Sequence, residues 1–279
     1  MQGREISYAP FIVSGSYTEE YLYKSEIREV RTLPADHTDT NGAAPELSHA
    51  FYVQVFTMLT STSPEQDFWS IRQFILRHAF EQLRAGQKHF VIALPLCVPP
   101  SKDKVRSLYT SMGIGKPTWG GDMEQQSIFM GSETVAGQVV SSGRPLTITN
   151  FQEPRWLTYP NRGGIAGLSV FPLRQAGRIA GTFTVMSTQP EYFLPSRLAL
   201  IEEYSNLVAL TLPDEAFYES RDIELGVMPL PHMQAPYLSH FRERVLQVLR
   251  EATTRGQPMN NAQAELLVRH RLEEELFLI

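Results

Sequence analysis

Between residues 129 and 212 the apolar spacing switches from helical to alternating and back to helical, and few folds accommodate that order. Residues 132–142 place Val135, Val139 and Val140 on one helical face and stop at Gly143, a residue type suited to ending a helix. A short alternation, Leu146-Thr147-Ile148, predicts a strand, and an irregular aromatic loop carrying Phe151, Trp156 and Tyr159 follows. Two apolar runs, 168–173 and 179–186, are joined at Gln175-Ala176-Gly177-Arg178 and predict a hairpin. Along the second run, strict alternation sends Ile179, Gly181, Phe183 and Val185 to one face and Ala180, Thr182, Thr184 and Met186 to the other. The first of these faces is apolar; the second is small and hydroxylated, which makes it a candidate cavity wall. A closing helix bears Leu198, Ile201, Val208 and Leu212 in one stripe and ends at Pro213.

Upstream, Leu47, Phe51, Val55 and Met58 form a helical stripe, broken by Thr60-Ser61-Thr62-Ser63-Pro64. A second helix, with Ser63 as N-cap and Pro64 at its first position, carries Phe68, Ile71, Ile75, Ala79 and Leu83. After Gly86 the run 89–94 reads as a buried strand, residues 105–114 as a further strand, and the glycine-rich 113–122 as a loop anchored by Trp119. Residues 1–45 read as an extension with an edge strand at Ile6, Tyr8, Phe11 and Val13, a short helix at 18–23 and a linker at 34–45. Beyond Pro213, residues 214–236 read as a proline-rich linker or wrapping arm, and two helices follow, one bearing Phe241, Val245 and Val248 and one bearing Val268, Leu272 and Leu276. The expected organisation is an extension (1–45), a central domain (46–212) and a C-terminal helical extension (213–279).

Charge and composition exclude several functions. The net charge of −5 offers no basic footprint for nucleic acid, and the tail from residue 213 onward holds seven basic against eleven acidic side chains, the wrong sign for phosphate contacts. The single cysteine, Cys97, excludes an internal disulfide and any multi-cysteine metal or redox site. No apolar run approaches the roughly 20 residues of a membrane helix, and the first 30 residues lack a signal-peptide pattern, so a cytoplasmic protein without membrane contact is expected. His37 and Asp39 read as a solvated loop pair without a second ligand cluster. Gly113-Ile114-Gly115-Lys116-Pro117-Thr118 fails as a phosphate loop, because Thr110 stands where glycine is required and Pro117 follows the lysine. Gly163-Gly164-Ile165-Ala166-Gly167 precedes a strand rather than a helix and so fails as a dinucleotide turn. Ser141 and Ser142 have no nearby histidine–acid partners, and Glu202-Glu203 and Glu273-Glu274-Glu275 read as solvated helix faces. No catalytic or metal-binding set remains, no cofactor is named, and a non-enzymatic protein is expected.

The order of elements resembles the GAF domain, a small-molecule sensor module. The resemblance rests on the two leading helices, the strand 89–94, the stretch 133–148 (ETVAGQVVSSGRPLTI), Glu153-Pro154-Arg155-Trp156, and the hairpin strands around Gly177. It implies an α+β fold: a central antiparallel sheet, terminal helices on one face, and a lid of loops and a short helix over a ligand pocket on the other. On that resemblance the candidate pocket is lined by Phe129, Met130, Phe151, Trp156, Tyr159, Thr182, Thr184 and Met186. Bilin-binding members carry a cysteine, usually with histidine, over the pocket; free methionine sulfoxide reductases need several cysteines; cyclic-nucleotide members carry an Asn-Lys…Phe-Asp-Glu signature. None of these is present. The expectation is a sensor or regulatory protein that binds an unidentified small ligand, forms a homodimer through helices 46–59 and 195–212, and signals through flanking helices. The alternative is a scaffold whose pocket is filled by its own side chains and whose C-terminal helices dock a signalling or transcription protein.

Overall fold

In the computed structural model, residues 27–29, 46–61, 68–116, 128–149, 164–257 and 259–279 are described. The expected elements at 6–13 and 18–23, the linker 34–45, the Ser63–Pro64 cap, Trp119 and the loop bearing Phe151, Trp156 and Tyr159 lie outside them.

Among the described residues, seven strands form one sheet: β1 (Ile27–Glu29), β2 (Phe90–Cys97), β3 (Leu108–Gly115), β4 (Phe129–Met130), β5 (Leu146–Ile148), β6 (Gly167–Gln175) and β7 (Arg178–Ser187). Their order is β1-β5-β6-β7-β2-β3-β4, with antiparallel pairing throughout. β1 was not foreseen in the sequence; it pairs with β5, Ile27 opposite Ile148, and forms one edge of the sheet. The predicted hairpin is β6–β7, turning at Ala176 and Gly177, both with positive φ. The fold is thus an antiparallel sheet with helices, in the α+β class expected.

One face of the sheet is covered by helices α1 (His49–Ser61), α2 (Trp69–Leu83) and α4 (Pro195–Ala209). Phe51, Ile75, Leu83, Ile201, Tyr204 and Val208 pack there against Phe90, Ile92, Leu94, Phe171, Phe183 and Val185. Removing that much apolar surface from water is the main stabilising contribution, at about 25 cal/mol per Å². The opposite face carries α3 (Val135–Ser142), whose Val135, Ala136, Val139 and Val140 pack on Val91, Ala93, Leu168, Val170 and Met186. Thr134 caps α3 by accepting a 2.9 Å bond from Gly137 N, and Gly143 ends it in the left-handed region, φ 66°. Ser132 and Thr134, expected inside this helix, instead form the corner that leads into it.

The alternation in β7 runs as expected from Thr182 to Met186 but reverses before it. Ile179 packs on the α3 face and Ala180 on the opposite, helix-covered face. The cause is a bulge: Leu173 pairs with Gly181 and Arg174 with Ile179, which leaves Ala180 without a β6 partner. Gly181 has φ 150°, and a Cβ there would lie 2.2 Å from the Pro95 carbonyl oxygen, so glycine is required at that point.

The tail is more structured than a linker. Tyr218 exchanges two backbone hydrogen bonds with Ile179 (2.9 and 3.0 Å), and Val105 is bracketed by Asp222 and Glu224. The proline-rich part forms α5 (Pro231–Leu238); Pro231 begins it, where its fixed φ suits a first helical turn, and Pro236 is accommodated inside. Helices α6 (Phe241–Thr254) and α7 (Asn261–Leu276) pack on each other around Val245, Val248, Ala264, Val268 and Leu272, and bury Tyr109 and Phe129 at the β3–β4 edge.

Candidate functional site

The register assembles the floor of the α3 face. Gly113 lies opposite Ala93, Ala93 opposite Thr184, and Thr184 opposite Val170. Beside this row, Val91 lies opposite Met186 and Met186 opposite Leu168. Three consecutive strands therefore present glycine, alanine and threonine at one level, so the floor is lowest there. Thr182 and Thr184, two residues apart and on one face, are buried with hydroxyl oxygens 3.2 Å apart. A buried hydroxyl without a partner costs about 1–3 kcal/mol, and the pair meets that demand internally. Thr182, Thr184 and Met186 are thus brought together, and Met130 joins the same apolar cluster. Phe129 does not. Neighbouring residues of a strand point to opposite faces, so Phe129 and Met130 divide. The Phe129 ring stands edge-on to Tyr109, centroids 5.0 Å apart, in the cluster beneath α6 and α7. Phe151, Trp156 and Tyr159 fall outside the described residues.

The corner between β4 and α3 holds the buried polar groups that the sequence did not single out. Gln234 of α5 is fully buried; its side-chain carbonyl accepts from Phe129 N and its amide donates to Phe129 O, both at 2.8 Å. It also donates to Pro229 O at 2.7 Å. One side-chain amide thereby does for β4 what a neighbouring strand would do. The Glu133 carboxylate accepts from Gly131 N at 2.8 Å and Met228 N at 2.9 Å. Burial raises its pKa, opposed by those two N–H groups. Glu273 of α7, expected on a solvated face, is buried and accepts from Ser107 Oγ; burial raises its pKa too, opposed by Ser107, Arg106 and His270. Gln234 carried no signal in the sequence, because the strand residue it holds, Phe129, is 105 residues away.

Cys97 is buried, and burial pushes its thiol up to about 12, so the thiolate is negligible at neutral pH. Among the described residues no group of three or more His, Cys, Asp or Glu side chains could hold a metal ion, and no helix is long and apolar enough to cross a membrane.

Residues 81–212, from the end of α2 through α4, match the family model of the GAF domain. The chain carries a GAF domain. Solved structures similar to it include a GAF domain with 13% identity, covering 63% of this chain and 99% of that one, at a TM-score of 0.43. The GAF domain of a phosphoenolpyruvate-protein phosphotransferase from Coxiella burnetii is 13% identical, covering 57% and 89%, also at 0.43. A free methionine-R-sulfoxide reductase from Neisseria meningitidis, in complex with its substrate, is 14% identical, covering 57% and 84%, at 0.42. No curated protein matches. Within the GAF domain, the sheet face beneath α3 is the candidate site.

Proposed function

We propose that this chain is a non-enzymatic sensor or regulatory protein, active in the cytoplasm as a homodimer, whose GAF domain binds a small organic ligand between the sheet and the α3 side. The observation that carries the reading is the low, hydroxylated floor formed by Gly113, Ala93 and Thr184, with Thr182 beside it. The two threonines need only one of their protons for each other, which leaves a hydroxyl to orient a guest among apolar neighbours, a usual composition for ligand pockets. Met130 and Met186 supply adaptable walls. Phe151, Trp156 and Tyr159 are proposed as further ligand contacts on the resemblance of the sequence to the GAF domain alone. Thiol chemistry of the reductase kind is disfavoured by a single, buried, high-pKa cysteine. Dimerisation through the helix layer is supported by Val53, Phe56 and Leu210, each about half exposed on α1 or just after α4.

A second reading is favoured by the packing of Val135, Val139 and Val140 directly on Val91, Val170 and Met186: a self-filled domain acting as a scaffold. Native mass spectrometry with a visible spectrum, followed by a metabolite thermal-shift screen, separates the two. A co-purified or stabilising compound whose effect is lost in Thr184→Val supports sensing. A ligand-free protein that no metabolite stabilises supports the scaffold.

A further inference from the structure

Three glycines and one ring form a stack that joins α3 to the last helix. A Cβ on Gly137, in α3, would lie 2.0 Å from the Gly131 carbonyl oxygen. One on Gly131 would lie 2.0 Å from the Gly226 carbonyl oxygen, and one on Gly226 would lie 2.4 Å from the Phe277 ring. Backbone therefore rests on backbone from α3 through the β4–α3 corner to the arm, and the arm rests on the phenyl ring that follows α7. The first two contacts are backbone on backbone, with the Glu133 carboxylate, itself held by Gly131 N and Met228 N, 2.6 Å from the same Cβ position at Gly131, and packed contacts of this kind transmit shifts rather than damping them.

The same corner collects the remaining ties. Gly226 donates to Arg106 O at 2.9 Å and accepts from Ser132 N at 2.8 Å. Glu133 holds Gly131 N and Met228 N, and Gln234 holds Phe129 from both sides. Arg106 lies over the Phe277 ring, 4.1 Å from its centroid, and donates to Glu274 at 2.6 Å. The α6–α7 pair has an apolar cluster of its own, separate from that of the helix layer α1, α2 and α4. Its ties to the domain run along Val98, Pro99, Arg106, Ser107, Tyr109 and Phe129, and the last of these leads through the β4–α3 corner to the start of α3.

We infer that α3 and the α6–α7 pair are mechanically coupled through the stack of Gly137, Gly131, Gly226 and Phe277, so that the C-terminal helices loosen or tighten as α3 shifts over the sheet. Hydrogen bonds weaken steeply as their angles open, so a small tilt of α3 strains the bonds of Ser132, Gly131 and Phe129 together. The coupling makes α6–α7 the output of the domain; that role rests on the ligand reading above, whereas the coupling itself does not.

Hydrogen exchange on the full, ligand-free chain tests it with two substitutions. Phe277→Ala removes the top of the stack and leaves every hydrogen bond at the corner in place. Gln234→Ala frees the β4 edge. In each variant the amides of α3 and of α7 are expected to exchange about tenfold faster or more, together, while β6, β7 and α4 keep their protection. Faster exchange in α7 alone overturns the inference, as does unchanged exchange throughout. Should either variant lose protection in β6 and β7 as well, Phe277→Leu is to give the same joint pattern at smaller amplitude, and independent behaviour of α3 and α7 there is again fatal. A failed ligand screen leaves this result standing; uncoupled helices sink it whatever the screen returns.

Discussion

Replacing Gly181 by alanine tests whether the β7 bulge is what turns the threonines toward α3. The new methyl would sit 2.2 Å from Pro95 O and 2.7 Å from Leu96 Cα, both backbone atoms of β2. Ordinary contact needs about 3.4 Å, so β2 and β7 would have to part by about 1 Å where Leu96 faces Gly181. The backbone at φ 150° adds about 1–3 kcal/mol for any residue with a side chain. Overpacking adds about 1–3 kcal/mol more. The midpoint is a loss of about 4 kcal/mol, or about 8–16 °C in Tm for a chain of this size. Gly177→Ala is the control: φ is +79° but a Cβ there meets nothing within 4 Å, so only the conformational cost of about 1 kcal/mol applies. Urea unfolding followed by far-ultraviolet circular dichroism compares the two. Equal losses, within about 0.5 kcal/mol, would show that the close approach to β2 does not matter and would remove the basis for the bulge argument.

Acidification is expected to act in opposite directions on the two sides of the molecule. Burial lowers the His78 pKa, so its contribution is present above the unfolded value of 6.5 and lost as pH falls through the folded one. Burial raises Glu133 and Glu273, so theirs is present below 4.5 and lost as pH rises through the folded values. Exchange protection corrected for intrinsic rates should therefore fall in α2 and rise at 131–133 and α7 as pH falls from 7 to 4.5; parallel changes in both regions would contradict the assignment. Cys97, buried with its thiol at about 12, should resist alkylation at pH 8 in the folded protein and react in urea, and prompt labelling of the native form would refute its burial.

The helix layer was legible because its residues repeat a local period: Ile71, Ile75, Ala79 and Leu83 announce α2 without help from distant contacts. The Thr182–Met186 face was legible for the same reason. The site was less so. Ala93 and Gly113 lie in an apolar run and a glycine-rich stretch where no period separates the faces, and only the pairing across β3, β2 and β7 brings them beside Thr184. Ala180 changed sides because a bulge resets alternation, and a bulge depends on what the partner strand does at Leu173 and Arg174. Pro236 argued against a helix that its neighbours form anyway. The ties from Gln234 to Phe129 and from Glu273 to Ser107 span 105 and 166 residues, beyond the reach of any local pattern.

The amide of Gln234 has a consequence for what counts as one domain here. The family match stops at residue 212, and a chain cut there would keep every residue by which the family is recognised. It would also lose the group that satisfies Phe129 N and O, bare the ring of Phe129 to water, and leave the Glu133 carboxylate with one of its two N–H partners. A two-residue strand with an open edge and an aromatic side chain is an invitation to pair with another copy. The stretch that ancestry marks out and the stretch that keeps itself dry are then different lengths of polypeptide, and the second is the longer by at least the reach to Gln234.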